Sequence, residues 1–183
     1  MARLRYTAIT SLDGYVNDAD GGFDWAAPSD ELHDILNEHE REVGTHLMGR
    51  RLYEVMRFWE TAPGDVPGPM GEYARIWRAA DKVVHSSTLE EVTTARTRLV
   101  PVFDAFAVEE LKTSSVRDVS VGGPTLAAEA FRAGLVDDVH LFVHPELVGG
   151  GVRALPHGIR LSLELVSLER IGAVVHAHHR VQR

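Results

Sequence analysis

Val119-Ser120-Val121-Gly122-Gly123-Pro124-Thr125 is the stretch whose reading decides the fold. A valine-rich run ends on two glycines, and Thr125 to Ala133 then carries a helical pattern that Gly134 stops. A strand, a glycine turn and a helix together form a cradle for an anion. The glycines let the backbone approach closely, and the helix presents unpaired N–H groups at its positive end. The same residues also suit a plain tight turn that needs positive φ, and two glycines alone do not choose between these uses.

Working outward, two more segments repeat the arrangement. In Leu47-Met48-Gly49-Arg50-Arg51-Leu52-Tyr53-Glu54 a strand end, a glycine and a helix start place arginine, a bidentate phosphate ligand, in the first helical turn. Two solvated arginines explain that segment equally. In Lys82-Val83-Val84-His85-Ser86-Ser87-Thr88-Leu89 hydroxyls follow a strand, where they can donate to phosphate or ribose, or simply form a turn. Three strand ends of one kind carry more weight than any one of them, because open α/β sheets bind ligands outside the carboxyl ends of their strands.

The remaining chain supplies the other elements. Leu4, Tyr6, Ala8 and Ile9 read as a first strand that runs into Ser11-Leu12-Asp13-Gly14 and a polar loop to Asp24. Pro28-Ser29-Asp30 opens a helix with Leu32, Ile35, Leu36 and Val43 at helical spacing. Helical patterns also cover Arg50 to Phe58, Glu72 to Ala80 and Phe103 to Lys112, with a proline- and glycine-rich loop from Thr61 to Gly71. Leu99-Val100 is a short strand candidate. Val139–Pro145, Leu161–Leu168 and Ala173–Val181 follow as strands without helices, which predicts an antiparallel finish. The sum is α/β: a mostly parallel mixed sheet with helices on both faces.

Bulk properties narrow the function. The chain has 183 residues, enough for one substantial core, so a single domain over 1–183 is expected. A net charge of -8 disfavours nucleic acid and anionic membranes as partners, although local N–H groups and arginines can still hold a dinucleotide. With no cysteine there is no disulfide and no thiolate chemistry. Met1 to Tyr6 lacks a signal-peptide stretch, and no window approaches the roughly 18 apolar residues of a spanning helix. The expected location is the cytoplasm. The G-x-G-x-x-G, Walker, H-E-x-x-H and G-x-S-x-G motifs are absent, and Asn17 to Gly22 fails the calcium-loop spacing. His176, His178 and His179 read as surface histidines, so no metal site is expected.

For chemistry, Asp13 is the candidate acid or substrate-orienting group, because it directly follows a buried strand; Asp-Gly is also an ordinary turn. Glu54 is a weaker candidate that a salt bridge on its helix explains as well. Trp25 is a candidate wall of the substrate pocket, or a core aromatic.

In order and spacing, these segments resemble the dihydrofolate reductase superfamily, and within it the bacterial branch related to the riboflavin-biosynthesis reductase (deaminase-reductase C-terminal) domain. The resemblance covers nearly the whole chain. It rests on Ser11-Leu12-Asp13-Gly14-Tyr15-Val16, Asp24-Trp25, Met48 to Glu54, Val84 to Leu89, Val121-Gly122-Gly123, Ala133 to Asp138 and His144 to Gly151. It implies a dihydrofolate-reductase-like three-layer fold and an oxidoreductase using NADPH. It further implies that Gly49, Arg50 and Arg51 meet the cofactor phosphates and that Ser86 and Ser87 lie near the adenosine 2′-phosphate. Gly122, Gly123, Pro124 and Thr125 would wrap the pyrophosphate. The nicotinamide is expected near Ala8, Thr10 and Ser11, with Asp13 and its loop on the substrate side.

Two departures stand out. Leu52 occupies the place of a threonine, and Ser87 that of an arginine, so charge pairing for a 2′-phosphate falls to Arg50 or Arg51. The expected activity is NADPH-dependent reduction of a small pterin-, pyrimidine- or carbonyl-type substrate. A nucleotide-binding or regulatory module without catalysis is the alternative. Folate reduction is weighed through Asp30, Glu31 and Asp34, none of which aligns firmly with a pterin-gripping acid. A homodimer is expected, paired through Val139 to Val143 and the late strands.

Overall fold

The computed structural model describes residues 1–182. Eight strands form one sheet in the order β4-β3-β2-β5-β1-β6-β8-β7. Strands β1 (Leu4–Ser11), β2 (Val43–Gly49), β3 (Asp81–His85), β4 (Thr97–Val100), β5 (Asp118–Gly122) and β6 (Asp138–His144) run parallel. Strands β7 (Leu163–Ile171) and β8 (Val174–Val181) form a hairpin that joins β6 antiparallel. This is the mixed sheet and antiparallel finish that the strand pattern predicts.

Helices cover both faces. The helix α1 (Asp30–Arg41) starts at Ser29, whose hydroxyl accepts from the Leu32 N–H. It packs with α4 (Pro69–Ala79) on one face, together with α2 (Arg50–Met56) and α3 (Phe58–Thr61). Helices α5 (Ala105–Ser114) and α6 (Pro124–Arg132) cover the other. Two boundaries differ from the sequence pattern. Pro69 at the first helical position starts α4 before Glu72, since its missing N–H is one the first turn leaves unpaired anyway. The run from Arg50 to Phe58 breaks after Met56, so Phe58 opens a separate helix.

Strand alternation then sorts the core. Leu4, Tyr6, Val119, Val121 and Val139 point to the face under α5 and α6, where they meet Ala127, Ala130 and Phe131. Each large apolar side chain fully buried there contributes roughly 1.5–3 kcal/mol. On the other face Met48, Tyr53, Trp77 and Val84 form a second cluster, and Leu32, Phe142, Ile171 and Val174 a third. Polar groups fill the space between these two. His46 Nδ1 lies 2.7 Å from Ser120 Oγ, and the buried Lys82 donates to the Trp77 and Ala80 carbonyls at 2.9 and 2.8 Å. Among the described residues no helix is long and apolar enough to cross a membrane.

Candidate functional site

The parallel strands end together, and their carboxyl ends bring three of the quoted segments to one rim. Met48 pairs with Gly122 and Gly49 with His85, so Gly49, Gly122 and the turn at Ser86 are neighbours across three strands. Tyr6 pairs with Val121, so Ala8 and Thr10 of β1 extend past the point where β5 stops. At the far side Ser11 pairs with His144. The result is a mouth with the diglycine turn at its centre.

Gly123 holds φ at 82°, a backbone state that side chains rarely adopt, and it caps α6 without a side-chain acceptor. The first-turn N–H groups of α6 are therefore available to an anion beside the exposed Thr125. Leu52 lies against this turn: a β-carbon at Gly122 would meet its Cδ2 at 2.5 Å. The bare backbone fits a close-lying pyrophosphate, with Leu52 offering an apolar contact where a hydroxyl would have donated. Arg51 is exposed on α2, whereas Arg50 pairs with Glu54 at 3.0 Å, which is the bridging role considered for Glu54. Ser86 has a local role as well. Its hydroxyl accepts from the Thr88 and Leu89 N–H groups at 3.2 and 3.0 Å, so it shapes the turn; Ser87 stands exposed beside it.

Asp13 is held by three donors. Ser11 Oγ donates to its carboxylate at 2.6 Å, and the Gly149 and Val148 N–H groups donate at 2.8 and 3.2 Å. Those bonds, Ser11 first, hold its carboxyl below the ordinary range against a smaller opposing effect of desolvation. A carboxylate stabilised as the anion is a poor proton donor near neutral pH. It works instead as an anchor between two loops. The same loops are joined by Leu12 N to Glu146 O, Val16 N to Val152 O and Ala154 N to Gly14 O, all at 2.8–2.9 Å. Gly151, with φ at 125°, packs so tightly on the Asn17 carbonyl that no β-carbon fits.

Trp25 lies beside the end of β6. It sits in a short 3₁₀ turn and meets His144 edge-on, ring centroids 6.0 Å apart. Trp25 Nε1 and His144 Nε2 are both buried without a hydrogen-bond partner. His144 was part of a quoted motif, yet its pairing with Trp25 crosses about 120 residues and has no local signature. Thr10 is buried and donates to the Ser11 and Tyr15 carbonyls, so it braces the end of β1. A cavity of about 440 Å³ lies between Glu54, Phe58 and Thr93 and is lined by none of the residues of the mouth.

The histidines differ from the surface reading. His140 and His176 are 5% and 3% exposed, and they lie with His178 on the sheet face under α1. Burial first, then neighbouring positive groups, lower His140 to about 3 and His176 to about 4. Both are neutral at physiological pH.

Comparison with known proteins gives this architecture a family. The model of the RibD C-terminal domain matches residues 2–177. The chain belongs to that family. It is a reductase-like family, and the fold above is its fold. Protein YyaP of Bacillus subtilis (strain 168) is 27% identical over 154 residues, which span 81% of this chain and 78% of that one. Among solved structures, a Shewanella sp. PV-4 protein named for riboflavin biosynthesis superposes with a TM-score of 0.78 at 22% identity, covering both chains fully. The Thermotoga maritima diaminohydroxyphosphoribosylaminopyrimidine deaminase/5-amino-6-(5-phosphoribosylamino)uracil reductase gives 0.69 at 14%, covering 99% of this chain but 57% of that longer one. A pyrimidine reductase-like protein from Corynebacterium diphtheriae gives 0.67 at 15%, covering 100% and 92%.

Proposed function

We propose that this chain is an NADPH-dependent reductase of a small, pyrimidine-type heterocycle. The observation that carries the proposal is the meeting of Gly49, the Ser86 turn and Gly122-Gly123 on one rim of the sheet, in a family whose reductases use NADPH. When bound, the dinucleotide supplies a hydride from its nicotinamide. The chain's residues bind, orient and exclude water. Gly122, Gly123 and Thr125 receive the pyrophosphate, Gly49 lets phosphate oxygens approach α2, and Arg51, Arg50 and Ser87 meet the charge at the adenosine end. Ala8 and Thr10 floor the nicotinamide side. Trp25, packed edge-on against His144, walls the substrate side.

Because Asp13 is held as an anion, the proton that completes reduction is assigned to solvent rather than to this side chain. That same observation favours the second reading, a nucleotide-binding module without catalysis. The proposal includes a homodimer. Val139 to Val143 lie inside the sheet, between β1 and β8, and are unavailable for pairing. The edge strand β7 instead exposes Leu163, Leu165 and Leu168, an apolar edge that a second copy would cover.

The test is to titrate NADPH, then NADH, while following tryptophan fluorescence and melting temperature. Saturable binding with an upward shift supports the cofactor site. Oxidation of NADPH by pyrimidine-type acceptors separates reductase from binding module. If neither dinucleotide binds at millimolar concentration, the proposal fails.

A further inference from the structure

We propose that His39, His140 and His176 form a structural site for a divalent transition-metal ion, zinc being the expected occupant, that ties α1 to the antiparallel end of the sheet.

Asp138, His140, Phe142 and His144 share one face of β6, and Val174, His176, His178 and Arg180 share one face of β8. Pairing His140 with His178 and Phe142 with His176 stacks these faces into one surface. Helix α1 crosses it. Its Leu32, Ile35 and Leu36 cover the apolar part beside Phe142, and one turn later His39 arrives over the histidines. Three imidazoles from three separate elements thus converge, one nitrogen from each lying within 4.8 Å of the others.

Two of them already stand at ligand spacing. His140 Nδ1 and His176 Nε2 are 3.1 Å apart. Tetrahedral zinc with bonds of 2.0–2.1 Å holds its nitrogens about 3.3 Å apart. In the metal-free chain these two nitrogens share a hydrogen bond, which an ion between them would replace.

The surroundings suit a cation. Phe142 stacks on the His176 ring at 4.3 Å, and His178 stacks on His140 at 4.1 Å while its Nε2 is fixed by Asp138 at 2.8 Å. These contacts set ring orientation from outside the ligand set, as second-shell partners of metal-bound histidines do. The nearby Arg5 is opposed by the two carboxylates it bridges, Glu42 and Asp118. Glu169, opposite His176 in the β7–β8 ladder, brings a further negative charge toward His39, and the remaining coordination positions would fall to water. Borderline-soft imidazole donors select zinc, nickel or copper over magnesium and calcium. His140 lies four residues back from the end of β6, roughly 13 Å at strand rise, so the ion would brace the fold rather than act at the mouth.

The experiment uses the full chain, stripped of metal and titrated with zinc chloride against a chromogenic chelator, with melting temperature followed in parallel. One zinc per chain with micromolar or tighter affinity and a raised melting temperature are expected. Cobalt should give the visible bands of a low-coordinate nitrogen site. His176→Asn and His140→Asn should each weaken binding by tenfold or more. His39→Gln, on a half-buried helix position, tests the same point where the strand variants fail to fold. His157→Gln, an exposed histidine elsewhere, should change nothing. Undiminished zinc binding in His39→Gln, or no binding below about 100 µM by the folded wild type with no thermal shift, overturns the proposal.

Discussion

The mouth of the sheet and the histidine layer under α1 are built from similar polar atoms and treat them in opposite ways. At the mouth, Gly123 and the first turn of α6 leave N–H groups bare, and Arg51 and Ser87 face solvent. Under α1, imidazoles are pressed together, walled by Phe142 and held neutral. Donors left open to water suit a ligand that arrives and leaves. Donors sealed inside the protein suit a permanent partner or none. The distinction lies in access, not in residue type.

The comparison can be broken most severely at the diglycine turn. Gly123→Val forces a branched side chain into a φ of 82° and fills the cradle, so NADPH affinity should fall by about a hundredfold or more while zinc binding is unaffected. Parallel fluorescence and chelator titrations check this, and loss of both would mean the two regions are not independent.

Acid should act next, and on the sealed region. His46, His140 and His176 titrate at about 4, 3 and 4 in the folded chain, against 6.5 for a free histidine. In that window the unfolded chain binds more protons, so stability falls as pH drops from 6.5 towards 4. Glu40, raised to about 7 by burial, works in the opposite sense, because it favours the folded chain as pH falls below 7. Three histidines against one carboxyl leave a net loss, of the order of a few kcal/mol. Urea midpoints of metal-stripped protein at pH 7, 5.5 and 4.5 measure it, and a flat profile would show the imidazoles to be accessible after all.

A smaller change sharpens the mouth. Leu52→Thr removes the side chain that lies against Gly122 and returns a hydroxyl, so NADPH affinity should rise by up to about tenfold, the worth of one hydrogen bond. An unchanged dissociation constant would mean that Leu52 does not border the cofactor. The smallest effect is expected from Asp13→Asn. It should lower the melting temperature slightly and leave the pH profile of NADPH binding unmoved, since Asp13 anchors loops. A shifted profile would restore it as a titrating group of the site.

Much of this was legible in the chain. Strand alternation and the glycine punctuation at Gly49, Gly122 and Gly123 gave the sheet and its rim, because both signals are local. The backbone roles of Ser86 and Asp13 were not legible for the converse reason: a hydroxyl or carboxylate near a strand end can serve a ligand or the backbone, and only tertiary hydrogen bonds show the second. The histidine cluster was hidden by distance. His39 and His176 are 137 positions apart in the sequence, and His176 and His178 look like solvated residues until α1 is laid across them.

The stitched loops beside β1 carry a consequence for traffic. Residues 11–17 and 146–154 share backbone bonds at Leu12, Val16 and Ala154, the Asp13 anchor and the tight seat of Gly151. Neither can swing alone. They form a door jamb with no door. Under the proposed reductase reading, turnover on that side would be paced by encounter and departure, with no closing step of these loops to wait for.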